Sequence, residues 1–312
     1  MITALCANPC VDNMVEIDRF AYGGMNRIRA ARQDGSGKGV NVALVAAQLG
    51  MRSACVGFLA RERGDLVLDR LRGQGCSAEF VRTPGAVRVN TKVLDRSSGV
   101  VTELNEAGVP VAADAVNALT QTVLCYGAQS DYFVLTGSLP PGCPVEYYRT
   151  LTERLKQSAP GCRVVLDAEG EKLAEGLKAL PFMTKPNRYE MELLCGRELP
   201  AIEDVDAEAV KLARTGIAVV AVSLGGEGAY VTDGEHAWYA PAMPVQVRST
   251  VGAGDSMVAG MLLGLSKGLE LAEAFRYGVA AATSSVTTEG TLLVDAALFE
   301  EYIPKIEIRQ VR

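Results

Sequence analysis

The chain has 312 residues, 48% of them hydrophobic, with 31 Lys and Arg against 37 Asp and Glu, a formal net charge of −6. That content supports a substantial core and excludes an intrinsically disordered chain, and the acidic balance argues against nucleic acid as a partner. The single histidine, His236, leaves little room for Ser-His-Asp catalysis or a histidine-built metal site. Eight cysteines without a C-x-x-C pair read as free thiols of a reducing cytosol. The N-terminus reads as a first strand, not a signal peptide. No apolar run approaches the ~20 residues of a membrane helix. The expectation is a cytoplasmic protein without a membrane partner.

In chain order, residues 3–7 read as a buried strand. Residues 11–20 alternate weakly, with Val15 and Ile17 on one face. Next comes Gly35-Ser36-Gly37-Lys38-Gly39-Val40-Asn41, opening a helix predicted over 42–49, where Val42, Val45, Ala46 and Leu49 share a face. This is not a P-loop, because Arg32 and Gly39 stand where that motif needs Gly and Ser or Thr. A flexible turn remains, with Lys38 and Asn41 as polar groups, and a plain loop-to-helix turn explains it equally. In 87–94, Val87, Val89, Thr91 and Val93 face one way and Arg88, Asn90 and Lys92 the other. Ser97-Ser98-Gly99 makes a turn, and 100–104 can return as a hairpin partner. These segments predict a small separate sheet with one polar, basic face, either a lid over an anionic ligand or an ordinary half-exposed sheet.

Residues 132–135, 164–166 and 218–222 read as further buried strands. Lys185-Pro186-Asn187-Arg188-Tyr189-Glu190 begins a helix, with Asn187 and Glu190 one turn apart. They could hold hydrated magnesium through water or simply cap the helix. Ser223-Leu224-Gly225-Gly226-Glu227-Gly228 follows a buried strand, where ligands gather in open α/β sheets. A glycine-rich hairpin is the plainer alternative. Thr250-Val251-Gly252-Ala253-Gly254-Asp255-Ser256 precedes a helix predicted over 258–265. Unpaired amides at a helix start favour a phosphoryl group in flight, and a carboxylate there can take a hydroxyl proton. Asp255 reads as a base beside an anion hole, or as a helix cap. Alternation of strands and helices predicts an α/β fold: a three-layer core with a mostly parallel central sheet and a small β lid. The core would take 1–10, 35–85 and 106–312, and the lid 11–34 and 86–105.

As an ordered set, Gly-Lys-Gly-x-Asn-Val-Ala at 37–43, Lys-Pro-Asn-x-x-Glu at 185–190 and Gly-Ala-Gly-Asp at 252–255 resemble the ribokinase-like, PfkB-type carbohydrate kinases. Asn8-Pro9-x-x-Asp12, Arg88-x-Asn90-x-Lys92, Thr102-Glu103-Leu104-Asn105-Glu106 and the run from Thr136 to Gly142 resemble the hexose-phosphate branch. The resemblance implies that Asp12, the Gly37–Gly39 turn and Asn41 bind sugar hydroxyls. Lys38 and Arg88 would meet the substrate's existing phosphate or hydroxyls, Arg27 would also face that phosphate, and Asn90, Gly137 and Ser138 would line the sugar site. Lys185, Asn187 and Glu190 would position Mg-ATP, the metal being held through water. Ser223, Gly225 and Gly228 would line the nucleotide site. Gly252, Ala253 and Gly254 would form the anion hole, with Asp255 as base. By the same likeness the lid supports a homodimer. The basic set of Arg27, Lys38, Arg88 and Lys92 suggests an acceptor already phosphorylated, with fructose 1-phosphate expected ahead of tagatose 6-phosphate and fructose 6-phosphate. A catalytically silent sugar-phosphate sensor would be expected to lose Asp255 or its glycines, and both are present. Two departures stand out: Ser36 replaces a frequent Gly, and Glu289 a frequent Pro.

Overall fold

The computed structural model describes residues 1–288 and 292–312; Glu289 lies outside them. In chain order the elements are β1 (Ile2–Cys6), β2 (Cys10–Ile17), β3 (Ile28–Ser36), α1 (Lys38–Gln48), β4 (Ser53–Glu62), α2 (Gly64–Gly73), β5 (Ser77–Ala86), β6 (Arg88–Asp95), β7 (Val101–Asn105) and α3 (Ala113–Gly127). There follow β8 (Tyr132–Thr136), α4 (Tyr147–Ser158), β9 (Arg163–Asp167), α5 (Gly170–Leu177), β10 (Met183–Thr184), α6 (Arg188–Cys195), α7 (Ile202–Ala213) and β11 (Val219–Ser223). The chain closes with β12 (Ala229–Thr232), β13 (Ala237–Ala240), α8 (Ala253–Ser266), α9 (Leu271–Thr287), α10 (Ala296–Tyr302) and β14 (Arg309–Gln310).

The large sheet runs β14-β13-β12-β11-β10-β9-β8-β1-β4-β5. Pairing is parallel from β5 to β11 and antiparallel through β12, β13 and β14. Both faces are covered, so the central strands are apolar on both sides. In β1, Ile2, Ala4 and Cys6 belong to the core under α1, α8 and α9, while Leu5 belongs to the opposite core under α3 and α4. Helix α8 is apolar nearly all round and buried from Asp255 to Gly264. At Gly260 a Cβ would lie 2.6 Å from the carbonyl oxygen of Tyr277, so glycine lets α9 pack close.

A second sheet, β3-β2-β6-β7, stands apart. Its centre is a parallel pair, β2 with β6, in which Asp12 lies beside Asn90 and Met14 beside Lys92. The expected hairpin is present, β6 running antiparallel to β7 with Leu94 opposite Val101. Strand β3 carries no clean alternation in Ile28–Ser36 and was not foreseen; β2 recruits it as an antiparallel edge. Alternation splits the sheet by parity. Asp12, Asn90, Lys92 and Glu103 face the core across a cleft, and Val15, Ile17 and Val93 form a small cluster of their own.

Two helices start earlier than their apolar periodicity suggests. α1 begins at Lys38 instead of residue 42, and α8 at Ala253 instead of residue 258. The glycines of those first turns carry no periodic signal, and first-turn amides need no intrahelical partner, so the helix can start through them.

Candidate active site

The cleft between the lid and the core narrows to a cavity of about 410 Å³. The lid contributes Asp12, Arg88, Asn90, Lys92 and Glu103 to its wall, and the start of α1 contributes Gly37, Lys38 and Asn41. The strand C-terminal ends supply Asp167, Lys185 and Ser223, with Asn187 and Glu190 at the start of α6. Gly252, Gly254 and Asp255 close it from α8. Asp255 therefore shares one cavity with Asp12 and Lys38, although 243 residues separate Asp12 from Asp255 in sequence.

Asp255 is the third residue of α8, not its cap; Gly252 holds the cap position with φ +77°. That left-handed backbone suits glycine, and a Cβ there would also lie 2.3 Å from Leu293 Cδ2. Asn41 Nδ2 donates to Asp255 Oδ2 at 2.9 Å. Burial pushes the Asp255 carboxyl up to about 6, with Lys38 pulling it down, Asp167 pushing it up, and the Asn41 amide and Lys185 pulling it down. It is thus ionised near neutrality and still basic enough to take a proton, the range in which a general base works best.

Fixed charges organise the rest of the wall. Lys92 Nζ lies 3.4 Å from Asp12 Oδ2 with both side chains buried. On the floor, Asp167 Oδ1 lies 3.4 Å from Lys185 Nζ and 3.7 Å from Lys38 Nζ. Thr136 Oγ1 donates to Asp167 Oδ2 at 3.3 Å. Burial would raise the Asp167 carboxyl, but Lys185 and Lys38 outweigh it and hold the group below the usual range. The same contact, chiefly, holds Lys38 above the ordinary lysine value. Asn187 and Glu190 form a reciprocal cap: Asn187 Oδ1 accepts from the Glu190 amide at 2.8 Å, and Glu190 Oε2 accepts from the Asn187 amide at 2.8 Å. Capping and facing the cavity are thus compatible here. Burial raises the Glu190 carboxyl above its ordinary value.

A second cavity, of about 430 Å³, abuts the first. Asn187, Ser223, Thr250 and Gly254 line both. Its polar end also holds Gly225, Gly228 and Ala253, while Met243, Val245, Val279 and Val286 form apolar walls. Ser223 and Asn187 are joined by a parallel bridge, the Ser223 amide donating to Pro186 O at 3.1 Å. Across the rim Arg188 grips Glu227 through two hydrogen bonds of 2.7 and 2.8 Å.

Some expected residues lie elsewhere. Gly39 packs beneath the turn, where a Cβ would fall 2.3 Å from Leu5 O, and is not on the cavity wall. Gly137 lies behind Lys38. Ser138 faces a neighbouring cavity of about 550 Å³, shared with Asn8, Arg88 and Lys172. Arg88 joins the two: its guanidinium donates to Asn8 O at 3.0 Å, Glu106 O at 3.0 Å and Ser138 Oγ at 3.4 Å. Arg27 is exposed and lines none of these cavities. It immediately precedes β3, about 30 Å of extended chain from Ser36. Asp167 was missed as a site residue, although a carboxylate directly after a buried strand was a usable signal. The apolar nucleotide-side walls had no local signal, since small residues on a packed helix look like core.

The chain matches the pfkB family carbohydrate kinase model over residues 7–296. It is 38% identical to the 1-phosphofructokinase of Rhodobacter capsulatus over 282 residues, 89% of this chain and 88% of that protein. It is 31% identical to the 1-phosphofructokinase of Bacillus subtilis over 311 residues, covering the whole of both. Among solved structures, phosphofructokinase-2 from Escherichia coli in complex with substrates and products superposes with a TM-score of 0.92 at 29% identity, covering 98% of this chain and 99% of that one.

Proposed function

The chain belongs to the pfkB family of carbohydrate kinases, and on that premise we propose that it phosphorylates fructose 1-phosphate at O6, using ATP and yielding fructose 1,6-bisphosphate and ADP. The observation that carries this reading is the meeting of two cavities at Asn187, Ser223, Thr250 and Gly254, with Asp255 on the polar side of the junction. The nucleotide occupies the half-apolar cavity, its phosphates pointing towards the start of α8. The sugar phosphate occupies the polar one. Arg88 and Ser138 hold the phosphate it already carries, and Asp12, Asn90 and the Gly37–Lys38 turn take its hydroxyls.

Asp255 accepts the proton of the acceptor hydroxyl as its oxygen forms a bond to the γ-phosphorus and the bond to the β,γ-bridging oxygen breaks, releasing ADP. The amides of Gly252 and Gly254, which have no hydrogen-bond partner among the described residues, and that of Ala253, which donates only a long 3.4 Å bond to Thr250 O, receive the negative charge on the transferring group together with the charges of Lys38 and Lys185. Magnesium accompanying ATP supplies neutralisation of phosphate charge. Among the described residues no cluster of three or more His, Cys, Asp or Glu could cage a metal alone. Asp167 Oδ1 has no hydrogen bond among the described residues beyond its ion pairs to Lys185 and Lys38, and Asn187 and Glu190 line the same wall, where they would hold a hydrated ion through water. The sheet of β2, β3, β6 and β7 acts as the lid, excluding water during transfer.

Two such chains pair through their lids. Phe20, Tyr22, Met25, Ile28, Val101 and Leu104 are exposed there, and Arg27 reaches a sugar phosphate only if a second chain delivers it. No helix among the described residues is long and apolar enough to cross a membrane, and the free thiols suit a cytoplasmic setting.

Steady-state ADP release over fructose 1-phosphate, tagatose 6-phosphate and fructose 6-phosphate tests the reading. The highest kcat/KM is expected with the first, and no turnover with any would overturn it. Asp255→Asn should still bind the sugar phosphate but lose turnover by several orders of magnitude. Near-normal turnover in that variant contradicts the assignment of the base.

A further inference from the structure

Among the described residues Asp255 is held by a single side-chain hydrogen bond, and the residue that makes it, Asn41, sits on a different helix. Asn41 is 5% exposed between the fully buried Val40 and Val42, one turn into α1, with its amide nitrogen donating to Gly37 O at 2.9 Å. Its Nδ2 gives the 2.9 Å bond to Asp255 Oδ2, while its own Oδ1 is buried and has no hydrogen-bond partner among the described residues. An unpaired buried amide oxygen is a cost that an apolar side chain at this position would avoid. What the position gains in return is the donor aimed at the carboxylate. The reverse amide orientation would set two acceptor oxygens against each other, so chemistry fixes the assignment.

Resting on the kinase reading above, we propose that Asn41 is the positioning residue of the base, tying up Oδ2 of Asp255 so that Oδ1 alone is presented to the acceptor hydroxyl. Because α1 also carries Lys38 and follows the Gly37 turn, one rigid element then both contacts the sugar and aims the base. A donor to the carboxylate favours its ionised form. The groups facing Asp255 from other elements are Lys38 of α1, Cys6 of β1, Asp167 at the end of β9, Lys185 beyond β10, and Glu190 of α6. The lid adds Asp12, Arg88, Lys92 and Glu103 across the cavity. Substitution of Asn41 leaves each of these in place.

The test is the kcat/KM profile of the full chain with fructose 1-phosphate and Mg-ATP from about pH 5 to about pH 9, whose acidic limb reports the free enzyme's base. In Asn41→Leu the limb should move up by about one pH unit, and further in Asn41→Asp, where a second carboxylate competes for the proton. Plateau kcat should fall roughly tenfold to a hundredfold while KM for ATP stays unchanged. A folded Asn41→Leu with an unmoved limb and only a raised sugar KM would make Asn41 a sugar ligand and overturn the inference. If the leucine variant does not fold, the nearly isosteric Asn41→Asp carries the same criterion. Asp255→Asn separates the two levels. Retained turnover there sinks the kinase base itself, whereas a dead Asp255→Asn with an unmoved limb in the Asn41 variants sinks only the positioning role.

Discussion

A carboxylate pushed up to about 6 by burial is a cost to the fold as well as a tool. Between about pH 4 and about pH 6 the folded chain keeps a proton on Asp255 that the unfolded chain has shed. The stability this contributes in acid is lost as pH rises through about 6. Asp255→Asn should therefore melt higher than the parent above that pH, by on the order of 2 kcal/mol, with the two curves converging near pH 4. Calorimetry across that range checks it, and equal stability at pH 8 would show that the buried charge is compensated. The Lys92–Asp12 pair works in the opposite sense. Lys92→Met leaves Asp12 buried without its partner and should cost about 3 kcal/mol. The double variant Lys92→Met/Asp12→Leu should regain most of that stability in urea unfolding while sugar-phosphate binding stays lost.

At the scale of elements, the proposed catalysis places its base and anion hole at helix starts. α8 turns in through Gly252 at φ +77°, so Gly252→Ala combines left-handed strain with a collision against Leu293. Turnover should drop roughly a hundredfold, with KM for the sugar phosphate changing much less; an equal loss in KM would mean that the whole cleft had deformed. Strand β6 joins lid to core through Arg88, whose planar fork donates to Asn8, Glu106 and Ser138 together. A lysine cannot reproduce that fork. Arg88→Lys should raise the sugar-phosphate KM by more than about tenfold and speed amide exchange over residues 88–105. Unchanged exchange with a raised KM would limit Arg88 to ligand binding.

For the molecule as a whole, the proposed lid-to-lid pairing would cover the exposed apolar residues of the lid. Sedimentation should give a mass near twice 33.1 kDa. Ile28→Lys should shift it to the monomer and raise the sugar-phosphate KM, because Arg27 would no longer be delivered. A monomeric parent with full activity would remove the lid-to-lid pairing.

Much of this was legible in local order. Strand periodicity at 87–94 separated the basic edge of the lid, with Arg88, Asn90 and Lys92 on one face, because alternation is a property of the backbone and needs no partner. Glycines beside Lys38 and Asp255, and Pro186 beside Asn187, marked three helix starts that face the cavity, because unpaired amides are a property of any helix N-terminus. Strand β3 was not legible, since an edge strand is selected by the strand that pairs with it. Nor were the Asn41–Asp255 bond, the double hold of Asp167 on Lys38 and Lys185, or the apolar wall around Val279 and Val286. Residue types and spacing thus sufficed for the class of fold and the chemistry on offer. Which carboxylate is raised, which is lowered, and which amide bonds Asp255 depend on distances between segments up to 214 positions apart, and charge interactions in a buried cleft follow those distances, not sequence order.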